Sequence, residues 1–281
     1  MKARLLIIGG SEDREARKAV LERFVELAGG AASRIVVLTA ASRAGDKLWA
    51  LYDAAFGALG VRTRPLQIDI ASRACANDAA MAAGVAAADS IFITGGDQKR
   101  LLALVGGTAL DAAMQEALAR GACVAGTSAG ASAMSAHMLA SGRGRLTPEK
   151  GSVGLGAGFG FVQGVIVDQH FSQRHRLARL LAVVAQNPYL IGIGIGIDED
   201  TALLIEQQRA IEIIGSGTVT ILDGRNMVSN VADVRHRAVP EMLGLRLHIL
   251  PAGSRHGVAP RNGPPGATPL ADFLNIATRI G

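Results

Sequence analysis

Short apolar runs alternate with longer amphipathic stretches through the first 180 residues, and this alternation constrains the fold more than any other feature. An apolar run of about four to eight residues is typical of a buried strand, whereas the Ala/Leu-rich stretches have the length and period of helices. Strands that alternate with helices form βαβ units around a parallel sheet. We therefore predict an α/β fold with a mostly parallel central sheet flanked by helices. Strands are expected at RLLIIGG, RIVVLTA, VRTRPLQI, SIFITGG and ACVAGTS, and helices include SEDREARKAVLERFVELAGG and KLWALYDAAFGALG.

The pattern changes after about residue 160. GVIVDQHF predicts a strand, QRHRLARLLAVVAQNP a helix, and TALLIEQQRAIEIIGSGTVTILDG successive hairpins. A strand at GLRLHIL, a Gly/Pro-rich loop through GSRHGVAPRNGPPGATP and a short helix follow. Late antiparallel strands usually extend or cap a parallel sheet. With 281 residues, of which 49% are hydrophobic, the chain can bury one large core, so we predict a single α/β domain over residues 1–281 with antiparallel additions toward the C-terminus.

Composition argues against several classes of protein. The net charge of +5 is scattered and aromatic residues make up only 4%, so no stacking surface for nucleic acid is expected. Two cysteines, Cys75 and Cys123, have no partners at zinc-binding spacing, so we expect no structural metal. No apolar run approaches the roughly 20 residues that cross a bilayer, and MKARLLIIGGSEDR reaches glycine and charge too soon for a signal peptide. We expect a cytoplasmic protein that contacts neither membrane nor nucleic acid.

Ser128 stands in a G-x-S-x-G frame, Gly126-Thr127-Ser128-Ala129-Gly130. A nucleophilic serine of this type sits on a turn between a buried strand and a helix, so tight that its neighbours must be small. The strand ACVA precedes it and the helix-compatible ASAMSAHML follows, which places Ser128 at the C-terminal edge of the sheet. The peptide N–H of Ala129 could then donate to an oxyanion. The alternative is a glycine-rich turn in which the serine only caps a helix.

A catalytic serine needs a base, and His170 is the best-placed histidine because it follows the apolar strand of VIVDQHF at a sheet edge. His137 is expected on the helix after Ser128, and His175 lies within an arginine cluster. The C-terminal histidines cannot be placed from the sequence; they are His236, His248 and His256.

The third member of such a site is a carboxylate that orients the imidazole. The stretch IGIGIGIDEDTALLI offers Asp198, Glu199 and Asp200. Asp168 is also a candidate, because residues 168 and 170 share one face of an extended strand. Spacing alone leaves Asp168 and Glu199 as alternatives, and the Asp-Glu-Asp run could instead be a polar turn.

Four segments, taken in order, resemble the signature segments of cyanophycinases, which belong to the serine peptidase family that also contains aspartyl dipeptidase. They are ITGGDQKRL, AGTSAGASAMS, DQHFSQRHRLARL and GIGIDEDTAL, and with the IIGGSEDR start the resemblance covers roughly residues 4–225. It implies a fold related to class I glutamine amidotransferases and a Ser-His-Glu triad in an order unlike that of the α/β-hydrolases. Carried over residue by residue, the resemblance makes Ser128 the nucleophile, His170 the base and Glu199 the acid. It also implies a second oxyanion donor, the peptide N–H of Gly96, beside Ala129.

The resemblance implies that the substrate is cyanophycin, a poly-aspartate chain with an arginine joined through its α-amine to each β-carboxyl. Such enzymes cut the backbone from its C-terminal end and release β-Asp-Arg dipeptides, and the resemblance suggests a homodimer without a cofactor. A substrate rich in carboxylates calls for guanidinium groups, which bind carboxylates bidentately. The residues expected to bind it are Gln98, Asp168, Gln169, Arg174, Arg176 and Arg179.

Two other functions remain open at this point. An aspartyl or isoaspartyl dipeptidase would share the serine and histidine segments but would not need the arginine-rich run of DQHFSQRHRLAR, so this run carries the polymer-degrading assignment. A non-catalytic ligand-binding protein on the same scaffold would leave Ser128 unreactive.

Overall fold

The computed structural model describes residues 2–258 and 270–280. Most of the predicted Gly/Pro-rich loop, residues 259–269, lies outside the described residues. In chain order the strands are β1 Arg4–Ile8, β2 Ile35–Leu38, β3 Leu66–Ile68, β4 Ser90–Ile93, β5 Cys123–Thr127, β6 His137–Ser141, β7 Gly154–Ala157, β8 Val165–Gln169, β9 Ile193–Ile197, β10 Thr201–Glu206, β11 Ala210–Gly215, β12 Thr218–Asp223, β13 Val228–Ser229, β14 Met242–Leu243, β15 Arg246–Pro251 and β16 Arg255–Gly257. The α-helices are α1 Ala19–Ala28, α2 Gly45–Ala58, α3 Ala79–Ala86, α4 Gln98–Val105, α5 Ala109–Ala119, α6 Ala129–Ser132, α7 Leu177–Gln186 and α8 Ala271–Ala277.

The main sheet has eight strands in the order β16-β11-β10-β1-β5-β4-β2-β3. Strands β1 to β5 are parallel to one another, and β10, β11 and β16 extend the sheet in antiparallel fashion. The predicted α/β class, with a mostly parallel sheet and antiparallel additions, is confirmed. The third predicted strand is short, because only Leu66–Ile68 pairs with β2.

A second sheet of four strands, in the order β15-β12-β9-β8, differs from the expectation that late strands would only extend or cap the first. Its β8 and β9 are parallel, and their alternate residues belong to the same buried core as the main sheet. Val167 and Ile195, for example, share this core with Ile7 of β1 and Val124 of β5. One face of each sheet thus contributes to a core that also contains apolar residues of α3, α4 and α5, so a second sheet satisfies the same hydrophobic pattern.

Two predicted helices are shorter than their patterns indicate. The helix expected from Ser11 begins only at Ala19, because the Asp13 carboxylate accepts hydrogen bonds from four peptide N–H groups of residues 15–18 and holds them in a loop. After Ser128, α6 has a single turn. His137 therefore starts β6 rather than lying on a helix, and the Ser135 hydroxyl donates to the His137 carbonyl at 2.7 Å in the connecting turn.

Within residues 2–258 and 270–280, no single helix is long and apolar enough to cross a bilayer. Helices α4 and α5 reach that length and apolarity only when taken together, and they meet at 98°. Their apolar residues, such as Leu101 and Leu110, pack in the core of the main sheet.

Candidate active site

Ser128 lies on a strained turn at the carboxyl end of β5. Its backbone has φ 52° and ψ −108°, which a non-glycine residue adopts only when the surrounding structure holds it there. The turn is tight because neighbouring segments touch: a Cβ on Gly126 would lie 2.7 Å from the Gly130 backbone, and one on Gly130 would lie 2.4 Å from the Ile93 carbonyl oxygen. The G-x-S-x-G frame is therefore required by packing, and it presents the serine at the edge of the parallel sheet.

His170 follows β8 and also has a left-handed backbone, with φ 48°. Its ring Nε2 lies 2.9 Å from the Ser128 Oγ, although 42 residues separate the two in the chain. Its ring Nδ1 lies 2.6 Å from Oε1 of Glu199, in the turn between β9 and β10. The structure thus joins the predicted serine, histidine and glutamate in one chain of hydrogen bonds.

The other carboxylates near this turn have structural partners instead. Asp198 accepts hydrogen bonds from the peptide N–H groups of Ser172 and Thr218 at 3.0 and 3.1 Å, and Asp200 accepts one from the Asp13 peptide N–H at 2.8 Å. Burial acts to raise the pKa of Asp198, but its hydrogen bonds outweigh burial and lower it. Of the four candidate carboxylates, Glu199 alone has a hydrogen bond to His170 in the described part of the chain.

Burial lowers the pKa of His170 below its ordinary value, and the charges of Arg174 and Arg176 act in the same direction, whereas the contact with Glu199 opposes them. A neutral imidazole that donates from Nδ1 to Glu199 leaves Nε2 free to accept the Ser128 proton. The site therefore favours the protonation state that a general base needs at neutral pH.

Three consecutive carbonyl groups at the end of β1 connect these segments. The peptide N–H of Ser128 donates to Ile8 at 3.1 Å, that of His170 to Gly9 at 2.8 Å, and that of Asp200 to Gly10 at 2.9 Å. Residues 8–10, which we call the triad-binding segment, thus bind the three segments that carry the serine, the histidine and the glutamate.

A cavity of about 290 Å³ opens beside the serine and is lined by Ser128, His170 and Gly96 among others. Gly95 packs on the serine, since a Cβ on it would lie 3.4 Å from the Ser128 Cβ. Ala129 is buried and begins the single turn of α6. Of the two predicted oxyanion donors, Ala129 directly follows the serine in the chain and Gly96 lines the same cavity. Among the described residues, no group of three or more His, Cys, Asp or Glu is placed to hold a metal ion.

Asp168, Arg176 and Arg179 form a buried charged group, here called the Asp168 cluster. Asp168 is 0% exposed, and the two arginines are 8% and 7% exposed. Arg179 binds both carboxylate oxygens of Asp168, with Nε 2.8 Å from Oδ2, and donates from Nη1 to the Gly142 carbonyl at 2.6 Å. Asp168 and Arg179 are therefore paired with each other inside the protein, and the substrate contact expected for both from the sequence stays a prediction.

The remaining predicted substrate-binding residues differ in their exposure and in how many of their hydrogen-bond donors already have a partner. Arg176 donates from Nη1 to Asp168 and Gln169, yet its buried Nε–H has no partner among the described residues. Burial lowers the pKa of Arg176 to about 10. Arg174 is exposed, whereas Gln98 is half-buried and donates to the Leu139 carbonyl at 2.9 Å. Of the three arginines, Arg174 alone is exposed, whereas the unpartnered Nε of Arg176 is buried.

Sequence reasoning did not select several residues of the cavity wall, among them Glu12, Arg14 and Tyr52. A signal for the first two was present, because β1 and β5 are parallel neighbours with Ile8 opposite Thr127. The carboxyl ends of parallel strands share one sheet edge, so the charged residues that follow β1 must lie near Ser128.

A serine, an imidazole and a carboxylate joined in this order at the sheet edge of an α/β fold define a serine-type hydrolase. The chain belongs to peptidase family S51, because the sequence model of that family matches residues 5–213.

The relatives that match the chain include cyanophycinases. The chain is 37% identical to the cyanophycinase of Geminocystis herdmanii over 258 residues, which cover 91% of this chain and 94% of the relative. It is also 37% identical to that of Synechococcus elongatus over 254 residues, with 90% and 78% covered. The chain is thus a cyanophycinase-like serine peptidase.

Solved structures agree on the fold. A peptidase from an acI-B1 actinobacterium superimposes with a TM-score of 0.65 at 22% identity, covering 92% of this chain and 97% of the other. A putative peptidase E protein from Listeria monocytogenes gives a TM-score of 0.52 at 17% identity, covering 76% and 98%.

Proposed function

We propose that the chain hydrolyses cyanophycin from its C-terminal end and releases β-Asp-Arg dipeptides through a Ser128-His170-Glu199 triad. The observation that carries this proposal is the continuous hydrogen-bonded chain from Ser128 Oγ through His170 to Glu199, with steps of 2.9 and 2.6 Å. The cyanophycinases that resemble the chain over about nine tenths of its length support the choice of substrate.

In the first step His170 Nε2 takes the hydroxyl proton while Ser128 Oγ forms a bond to the carbonyl carbon of an Asp-Asp peptide. The negative charge moves to the carbonyl oxygen, where the peptide N–H groups of Ala129 and Gly96 stabilise it. The C–N bond then breaks, and the leaving amine of the C-terminal β-Asp-Arg unit takes the proton from His170.

In the second step water attacks the ester that joins the remaining polymer to Ser128. His170 accepts a proton from the water, the new C–O bond forms, and the ester C–Oγ bond breaks as Ser128 regains its proton. Glu199 keeps Nδ1 protonated throughout and offsets the positive charge that His170 carries between transfers. The chemistry calls for no redox change and no cofactor.

The Asp168 cluster supports an anionic substrate indirectly. It holds two guanidinium groups and one carboxylate, so it carries an excess positive charge close to His170. Arg174, which is exposed, adds to this field. We therefore assign direct substrate contact to the exposed Arg174, and a supporting electrostatic role to the buried Asp168, Arg176 and Arg179.

The direct experiment is to incubate the purified protein with cyanophycin granules and to assay the release of β-Asp-Arg by mass spectrometry. Release by the parent protein and none by Ser128→Ala supports the proposal. Equal release by both, or none by either, contradicts it.

A dipeptidase acting on aspartyl or isoaspartyl peptides is the second candidate. The burial of Arg179 favours this second candidate, because fewer arginines of the run DQHFSQRHRLAR are available to bind a polymer than the sequence implies. Turnover of short N-terminal Asp or iso-Asp dipeptides at a higher kcat/KM than cyanophycin would select this alternative.

A further inference from the structure

The catalytic cavity contains a cation that the proposed mechanism does not use. Arg14 lines the same cavity as Ser128 and His170, and its side chain is half-buried. Its guanidinium carbon lies 5.8 Å from the centre of the Tyr52 ring. The Tyr52 hydroxyl also forms a side-chain hydrogen bond with Arg14. A guanidinium has five N–H donors, so the ring and its hydroxyl restrain Arg14 and leave donors for a ligand.

Glu12, which lines the same cavity, does not bind Arg14, because its two oxygens accept hydrogen bonds from hydroxyl groups. Glu12 is buried and accepts hydrogen bonds from Tyr52 and, at 2.5 Å, from Thr127. Burial raises the pKa of Tyr52 well above its usual value, so its hydroxyl remains a donor to Glu12. In the described ranges, the ion pairs between side chains do not include Arg14.

The loop that carries Arg14 is fixed on both sides. The Asp13 carboxylate binds the peptide N–H groups of residues 15–18 at 2.6–3.1 Å, and these bonds hold its pKa far below the usual range. The Asp13 peptide N–H is itself bound by Asp200, one residue after Glu199. Arg14 thus projects from a loop that is tied to the catalytic turn, which is what a binding residue of defined position requires.

We propose that Arg14 binds a carboxylate of the substrate next to the scissile bond and thereby determines specificity for acidic peptides. This inference rests on the proposed function. In the last unit of cyanophycin two carboxylates lie near that bond, the C-terminal α-carboxylate and the carboxylate of the attached arginine. The same guanidinium chemistry would bind either, and the experiment separates them.

Three synthetic substrates provide the test: the tetrapeptide of two β-Asp-Arg units, its C-terminal amide, and the form whose arginine carboxylates are amides. The kcat/KM of the parent protein, Arg14→Gln and Arg14→Lys is measured on each. The matched control is Arg17→Gln, which removes an exposed arginine from the same loop. A hydrogen bond to a charged group contributes enough to change kcat/KM by roughly ten- to a hundredfold.

We expect the parent protein and Arg17→Gln to prefer the free acid over one of the two amides by at least about tenfold. Arg14→Gln is expected to lose that preference, because its kcat/KM falls on the free acid and stays unchanged on the amide. Arg14→Lys is expected to keep part of the preference. The amide on which the preference disappears identifies the carboxylate. Labelling of Ser128 by a fluorophosphonate should be equal in all four proteins.

Two results would overturn the assignment while leaving the proposed function intact. One is a preference for the free acid that persists in Arg14→Gln. The other is loss of serine labelling in that variant, which would show that Arg14 positions the nucleophile and does not bind the substrate. If the parent protein cleaves none of the three substrates, the proposed function itself fails, and the role of Arg14 fails with it.

Discussion

Gly10 lies against the imidazole of His170, so closely that a Cβ built on it would stand 2.4 Å from Cε1 and 2.5 Å from Nε2 of the ring. The ring therefore has glycine on one side and Ser128 at its Nε2. This contact adds to the hydrogen bond by which the His170 peptide N–H is bound to the Gly9 carbonyl at 2.8 Å.

Replacing Gly10 with alanine is expected to displace the imidazole from Ser128 and to lower kcat by roughly a hundredfold, since an error of about 1 Å in catalytic geometry costs that much. The control is Gly29→Ala. Gly29 has φ +109° against +101° for Gly10, so both changes strain the backbone, but a Cβ on Gly29 meets nothing within 4 Å. Urea unfolding should show similar losses of stability for the two variants, and only Gly10→Ala should lose activity. Full activity in Gly10→Ala would contradict the contact.

Glu199→Gln is expected to reduce kcat by about 10⁴ while leaving KM nearly unchanged, because an amide no longer holds the imidazole in the required tautomer or offsets its charge. Steady-state kinetics on cyanophycin or its tetrapeptide measure this effect. Glu116→Gln, at an exposed position on α5, should behave as the parent protein does. If Asp168→Asn rather than Glu199→Gln abolished catalysis in a folded protein, Glu199 would not be the acid.

The dependence of kcat/KM on pH follows from the environment of His170. Its imidazole must be neutral to act as a base, and burial lowers its pKa from the ordinary 6.5, so the acidic limb of the profile should have its midpoint below that value. Arg174 also lowers the pKa, so Arg174→Gln should move the limb to higher pH. Because Arg174 is exposed, high salt should weaken the shift. Arg62→Gln, an exposed charge elsewhere, should leave the limb in place; a limb that Arg174→Gln does not move would contradict the assignment.

Asp168→Asn is expected to destabilise the protein by about 3–5 kcal/mol, because it leaves two buried guanidinium groups without their carboxylate. The free energy of unfolding in urea measures this loss. Asp53→Asn breaks an exposed pair with Arg64 and should cost about 1 kcal/mol or less. Equal losses in the two variants would show that the Asp168 cluster contributes no more than a surface ion pair.

The sequence predicts the elements of the site better than the directions of its side chains. The apolar period and the small residues around Ser128 suffice to place the nucleophile at a strand end. Asp168 and Glu199 could not be separated, because strand alternation puts residues 168 and 170 on one face. The left-handed φ of 48° at His170 breaks that alternation and turns the ring toward Ser128, while Asp168 stays within β8 and faces Arg179.

Other features depend on pairings between distant segments, which no local pattern contains. The division of the late strands into a second sheet follows from packing against the first, and the burial of the arginine run follows from that sheet. Arg14 reaches the cavity only because β1 lies beside β5.

The triad-binding segment has a consequence for how activity arises during folding. Its three carbonyls, at residues 8–10, accept hydrogen bonds from Ser128, His170 and Asp200, so each bond closes a loop of well over one hundred residues. Contacts between residues so far apart in the chain are costly in entropy and form slowly. On refolding, secondary structure should therefore recover before Ser128 becomes reactive toward a serine-directed probe. The recovery of that reactivity would time the closure of these three loops.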